Sequence, residues 1–138
     1  MSARDKYHYA VRSALTKDGW TITHDPFTLH YETRDTFVDL GTERLLLAEK
    51  ETQKILVEIK TFLGESQMEA LRDAMGQYII YKDIMEETQA KQTLFMAIPK
   101  EAAQGIFAEP IGQMVTRRHK IALIVYDPNT EEIIAWKP

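Results

Sequence analysis

The sequence contains no cysteine. That absence excludes disulfide frameworks, cysteine-ligated zinc and thiol catalysis together, and it agrees with a reducing compartment. No apolar run approaches the roughly 18–20 residues a membrane-spanning helix requires. The opening, Met1 to Lys6, is polar and charged, unlike a signal peptide, so a cytoplasmic chain is expected. There is no surplus of positive charge: the formal net charge is −4, which argues against a protein that coats nucleic acid by bulk charge. A site that meets phosphates through metal ions and a local basic patch is still compatible with it. Glycine-rich phosphate loops and nucleophile elbows are missing, so NTP hydrolysis and acyl transfer are not expected. Repeats, linkers and low-complexity segments are missing too.

What is present fits one domain spanning 1–138. The 138 residues suffice for a single core, and 44% hydrophobic with 28% charged residues is the balance of a globular chain. Ser2 reads as the N-cap of a helix carrying Tyr7, Ala10, Val11, Ala14 and Leu15 at helical spacing, ended by Gly19. Trp20 to His24 alternates as a strand, Asp25-Pro26 turns, and Leu29 to Glu32 is a second short strand. Phe37 to Leu40 begins an extended stretch, interrupted near Gly41 and continued by Leu45 to Ala48. Lys50 to Gln53 turns into the clearest strand, Lys54 to Lys60, giving a hairpin. Ser66-Gln67-Met68-Glu69 is a capping box opening a long helix to about Glu87. Leu94 to Ile98 is a buried strand ended by Pro99. Lys100 to Arg118 is helical with a break near Pro110. Ile121 to Tyr126 is another buried strand, and Ile133 to Trp136 closes a last hairpin. The expected fold is therefore α/β, a mixed sheet with helices packed against it.

Residues i and i+2 of a strand share a face, so Glu58 and Lys60 project together while Val57 and Ile59 enter the core on the other side. Charges on a strand that otherwise reads as central require partners or a metal. Asp39 lies upstream, on the region that folds back against this strand. With Glu58 it forms an acid pair of the kind that holds a divalent cation such as Mg²⁺ or Mn²⁺. Glu43 is the alternative acid, because sequence does not fix the register. Such an ion would polarise a phosphodiester and lower the pKa of a bound water, with Lys60 stabilising phosphoryl charge. The competing reading is a pair of solvated charges near a strand end. On the long helix, Gln77 and Tyr81 share a face with Ala70 and Ala74, small residues that allow close approach to the sheet.

Asp39, Glu58-Ile59-Lys60 and Gln77…Tyr81, in this order, resemble the PD-(D/E)xK nuclease superfamily, including its Gln-x-x-x-Tyr branch. The resemblance implies a restriction-endonuclease-like αβββαβ core. It also implies metal ligation by Asp39 and Glu58, a catalytic Lys60, and support of the site or contact with DNA by Gln77 and Tyr81. A closer resemblance covers nearly the whole chain. Ala3-Arg4-Asp5-Lys6-Tyr7-His8, Asp18-Gly19-Trp20 and Thr23-His24-Asp25-Pro26 are similar to the XisH family. So are Asp39-Leu40-Gly41-Thr42-Glu43-Arg44, Val57 to Gly64 and Gly76-Gln77-Tyr78. That family comprises fdxN-element excision controlling factors, mostly cyanobacterial. It implies a role in developmentally controlled DNA excision beside a site-specific recombinase and a small partner, XisI, with or without cleavage by the protein itself. Many superfamily members place a glutamate on the first helix, where this chain offers Asp5 and His8. His8 is either a metal ligand or an ordinary surface or core residue.

Arg117-Arg118-His119-Lys120 is the densest basic run. It either meets a DNA backbone, chiefly through Arg117, Arg118 and Lys120, or complements a helix dipole. His24 and Asp25 suggest acid–base work or, before Pro26, a turn. Trp20 and Trp136 read as packing, and Met68, Met75 and Met85 as core of the long helix. A homo-oligomer is expected of a small nuclease, although no segment identifies its interface.

Overall fold

The computed structural model describes residues 2–32, 34–35, 45–64 and 66–138. Helix α1, Ala3–Lys17, begins where expected: the Ser2 hydroxyl accepts the Asp5 N–H at 3.2 Å. It ends in a six-to-one backbone bond from Trp20 N–H to the Leu15 carbonyl, with Gly19 at φ 93°. Strand β1 is Thr21–His24. Strands β2, His30–Tyr31, and β3, Arg34–Asp35, form a small separate ladder. Strands β4, Leu45–Lys50, and β5, Gln53–Ile59, pair antiparallel around Glu51, which has a left-handed φ of 57°. The long helix α2 is Gln67–Glu87, and the Ser66 hydroxyl accepts the Glu69 N–H as the capping motif requires. Strand β6, Thr93–Pro99, leads into helix α3, Lys100–Gln104, and one 3₁₀ turn, Ile106–Ala108. Helix α4, Pro110–Arg118, has Pro110 in its first turn, where the missing N–H costs nothing. Strands β7, Leu123–Asp127, and β8, Glu132–Lys137, finish the chain.

Among the described residues the main sheet has six strands, in the order β1-β4-β5-β6-β7-β8. Its centre, β5, β6 and β7, is parallel, and its outer pairs are antiparallel. Up to β6 the main-sheet elements succeed one another as α-β-β-β-α-β. Side-chain alternation divides the core in two. Ile55, Val57 and Ile59 of β5 join Ala10, Val11 and Leu15 of α1 on one face. Leu56 of β5 joins Leu71, Ala74, Tyr78 and Tyr81 of α2 on the other. The central strands are covered on both faces, which is why they read as continuous apolar runs.

Two expectations are refined. The strand expected at Ile121 starts at Leu123, because the Ile121 N–H closes α4 onto the Thr116 carbonyl. Met68 is 42% exposed, unlike Met75 and Met85: it occupies the first turn of α2 and faces outward. The stretch Phe37 to Leu40 lies outside the described residues. No helix among the described residues is long and apolar enough to cross a membrane.

Candidate functional site on the central strand

The clearest site expectation falls at the C-terminal end of β5. Glu58 pairs in register with Leu45 of β4 on one side and Met96 of β6 on the other. Two-residue periodicity turns it to the face that α2 covers, with Leu56, while Val57 and Ile59 face α1. Lys60 follows just beyond the strand, and its backbone N–H donates to the Ala97 carbonyl at 3.0 Å. The two side chains meet: Lys60 Nζ stands 3.8 Å from Glu58 Oε1. Both are buried, Glu58 at 1% and Lys60 at 7% exposure. A solvated pair at a strand end is thereby excluded. Removing two charges from water costs several kcal/mol per ion, so each requires compensation inside the protein.

Helix α2 brings the expected Gln77 and Tyr81 to this face of the sheet. Tyr81 is buried, and Gln77 is half-buried. Among the described residues the Gln77 Oε1 atom is buried without a hydrogen-bond partner. Tyr78, whose role the sequence did not disclose, is the anchor of the helix. Its hydroxyl donates to the Leu94 carbonyl at 3.1 Å and accepts the Ala122 N–H at 3.2 Å. Burial raises its pKa above the ordinary phenol value, the Ala122 N–H opposes this, and the charge of Glu58 raises it further. Tyr78 therefore senses Glu58 electrostatically while pinning α2 across the starts of β6 and β7.

Asp39 and Glu43, the alternative second acids, lie outside the described residues. A Mg²⁺ site uses one or two carboxylates and keeps several waters. Glu58 could supply one hard oxygen ligand for such an ion. Among the described residues there is no cluster of three or more His, Cys, Asp or Glu side chains that would hold a metal by itself. The residues fit a divalent ion only if an acid from the region of Asp39 to Glu43 completes the set.

His8 is engaged with Asp25: its Nε2 lies 2.7 Å from Asp25 Oδ2, and Arg12 donates to the same oxygen. The Asp25 side chain is 10% exposed. Burial pushes its carboxyl up, but the hydrogen bonds and charges of Arg12 and His8 outweigh burial and hold it below the usual carboxylate range. This cluster ties α1 to the turn after β1, so Asp25 does more than form a turn. Arg117, Arg118 and Lys120 are exposed around the end of α4. Lys120 takes φ 51° there, and its N–H closes the helix onto Arg117. The run thus complements the helix dipole and still presents its cations to solvent.

These features define a mixed α/β protein, a six-stranded sheet flanked by helices, with an acid–lysine pair buried at the end of its central strand. The XisH family model, described as XisH protein, matches residues 1–134. The chain belongs to the XisH family. It is similar to a crystal structure of an fdxN element excision controlling factor protein from Anabaena variabilis. That match has 30% identity and a TM-score of 0.88, over 97% of this chain and 99% of the other. It is equally similar to a crystal structure of an XisH family protein from Nostoc punctiforme, at 30% identity and a TM-score of 0.88, over 97% of this chain and 100% of the other. Comparison with curated proteins finds no match.

Proposed function

We propose that this chain is a controlling factor for excision of a DNA element, and that it acts through a PD-(D/E)xK-type endonuclease site. The observation that carries the reading is the buried Glu58–Lys60 pair, projecting on one face at the end of β5. Family membership supports the excision role, and the α-β-β-β-α-β succession supports the nuclease-type fold. Glu58 and Asp39, or Glu43 in its place, would hold Mg²⁺ or Mn²⁺. The chemistry such an ion supplies when bound is polarisation of a phosphodiester and activation of water. Lys60 places positive charge where the phosphoryl oxygens gain negative charge. Gln77 and Tyr81 support the site from α2. Arg117, Arg118 and Lys120 steer the DNA backbone.

The test is cleavage of supercoiled plasmid and of branched DNA with Mg²⁺ or Mn²⁺, comparing wild type with Glu58→Gln. Metal-dependent nicking by the wild type, lost in the variant, is the expected result. A second reading is a nuclease-fold accessory protein that binds an XisI-like protein or the recombinase without cutting. The net charge of −4, and a first helix that offers Asp5 and His8 where many superfamily members carry a glutamate, favour it. In that case neither protein cleaves, alone or with an XisI-like partner, while Glu58→Gln still binds that partner as the wild type does.

A further inference from the structure

The α1 face of the sheet holds a cleft of about 670 Å³ beside the β4–β5 hairpin turn. Trp20, Phe95 and Trp136 form its aromatic floor, and Lys50, Lys54 and Lys91 stand along its rim. The floor is well ordered by ring contacts. The Trp20 and Trp136 ring centres are 5.7 Å apart, tilted by 34°. Phe95 meets Trp136 edge-on at 5.2 Å. Core packing accounts for Trp20 and Phe95, which are 7% and 8% exposed. Trp136 packs against the same core but is only half-buried, and it lines the cleft beside the lysines.

Two acids, Asp18 and Glu51, line the cleft beside the lysines. The Asp18 carboxylate accepts the Trp20 indole N–H at 3.2 Å, and Glu51 sits at the hairpin turn. Lys50 donates to the Asp18 carbonyl at 2.8 Å, and its ammonium stands 6.0 Å from the Trp20 ring centre. Lys54 and Lys91 are exposed; Lys54 Nζ lies 3.6 Å from Glu49 Oε1 across the β4–β5 ladder, a solvated bridge of the kind that contributes little and yields readily to another anion. An aromatic floor with cations at its edge complements a planar ring that carries an anion. A cleft of this volume lies within the usual range for small ligands. We propose that it binds a nucleotide of single-stranded nucleic acid, the base against Trp136 and the flanking phosphates on Lys54 and Lys91. Ile55, which lines the cleft, faces α1, whereas Glu58 faces α2. The cleft and the Glu58–Lys60 pair therefore occupy opposite faces, and this proposal stands whether or not the nuclease reading does.

The chain has two tryptophans and both line the cleft, so intrinsic fluorescence reports on it without a label. The full chain is titrated with an oligothymidylate of about ten nucleotides and, separately, with thymidine monophosphate, at low and moderate salt. Saturable quenching by the oligonucleotide, weakening with salt, is expected. Affinity should fall by about tenfold or more in Lys54→Glu/Lys91→Glu, and by a similar factor in Trp136→Leu. The charge-reversed pair alters only exposed side chains, so it tests binding even if Trp136→Leu fails to fold. Absence of quenching, or an affinity unmoved by the charge reversal, overturns the proposal. Equal affinity for the mononucleotide overturns the strand and leaves a nucleotide monophosphate site.

Discussion

Replacing Lys60 by methionine leaves the Glu58 carboxylate in a site with 1% exposure and removes the cation 3.8 Å away. At that separation, with an effective dielectric constant near 20, the lost attraction is about 4 kcal/mol. Measured losses for one partner of a buried pair are of the same size, about 3–5 kcal/mol. A domain of this length has roughly 5–15 kcal/mol in total, so Lys60→Met should remove a large part of it. The double variant Glu58→Leu/Lys60→Met removes both desolvation penalties together with the attraction, and it should lie within about 1–2 kcal/mol of wild type. Urea denaturation of wild type, both single variants and the double variant, followed by far-UV circular dichroism, gives the coupling energy directly. A loss below about 1 kcal/mol for Lys60→Met would place the pair in the range of solvated surface bridges and refute the reasoning. So would a double variant as unstable as the single one. A stable double variant with no function would show that the pair is kept for chemistry rather than for folding.

If Glu58 is a metal ligand, saturating Mg²⁺ or Mn²⁺ at about a hundred times its dissociation constant should stabilise the wild type by about 2.7 kcal/mol. The urea midpoint of Glu58→Gln should not respond, and a flat wild-type midpoint would count against a metal site. Gly112→Ala should lose about 2–3 kcal/mol in a thermal melt, because its Cβ would fall 2.1 Å from the Ile106 carbonyl oxygen and 2.8 Å from Phe107 Cα. A near-native melting temperature would show that the 3₁₀ turn yields easily. Because the folded-state pKa of Asp25 is depressed, its contribution is complete above the unfolded value near 3.9 and is lost as pH falls through the lower folded value. Asp25→Asn should therefore be less stable than wild type at neutral pH and show a shallower loss below about pH 4, read from urea midpoints. Parallel acid limbs for the two proteins would disprove the assignment.

Local signals carried much of this fold. Ser2, Ser66 and Gly19 mark helix ends through chemistry confined to a few neighbouring residues, and the structure uses each as expected. The ends of α2 and α4 fall at Glu87 and Arg118, as expected, without a glycine to mark them. Their left-handed residues are Gln89 at φ 57° and Lys120 at φ 51°, not glycine, so the usual stop signal is missing. Strand β3 is two charged residues long and makes no periodic pattern. Tyr78 illustrates a deeper limit. Its partners are a carbonyl on β6 and an N–H just before β7, so its role becomes visible only once those strands are adjacent.

The Glu58–Lys60 pair combines both kinds of information. A period of two places the side chains on one face and assigns Val57 and Ile59 to the other, and that much is legible from seven residues. Whether the charged face meets water or protein depends on where the chain goes next. Strand β5 continues through α2 into the parallel neighbour β6, and α2 covers the sheet face that bears Glu58. The same charges that would form a weak surface bridge on an uncovered sheet become a buried pair beneath a helix. Because such a pair contributes little net stability over an apolar replacement, its presence there calls for a functional explanation.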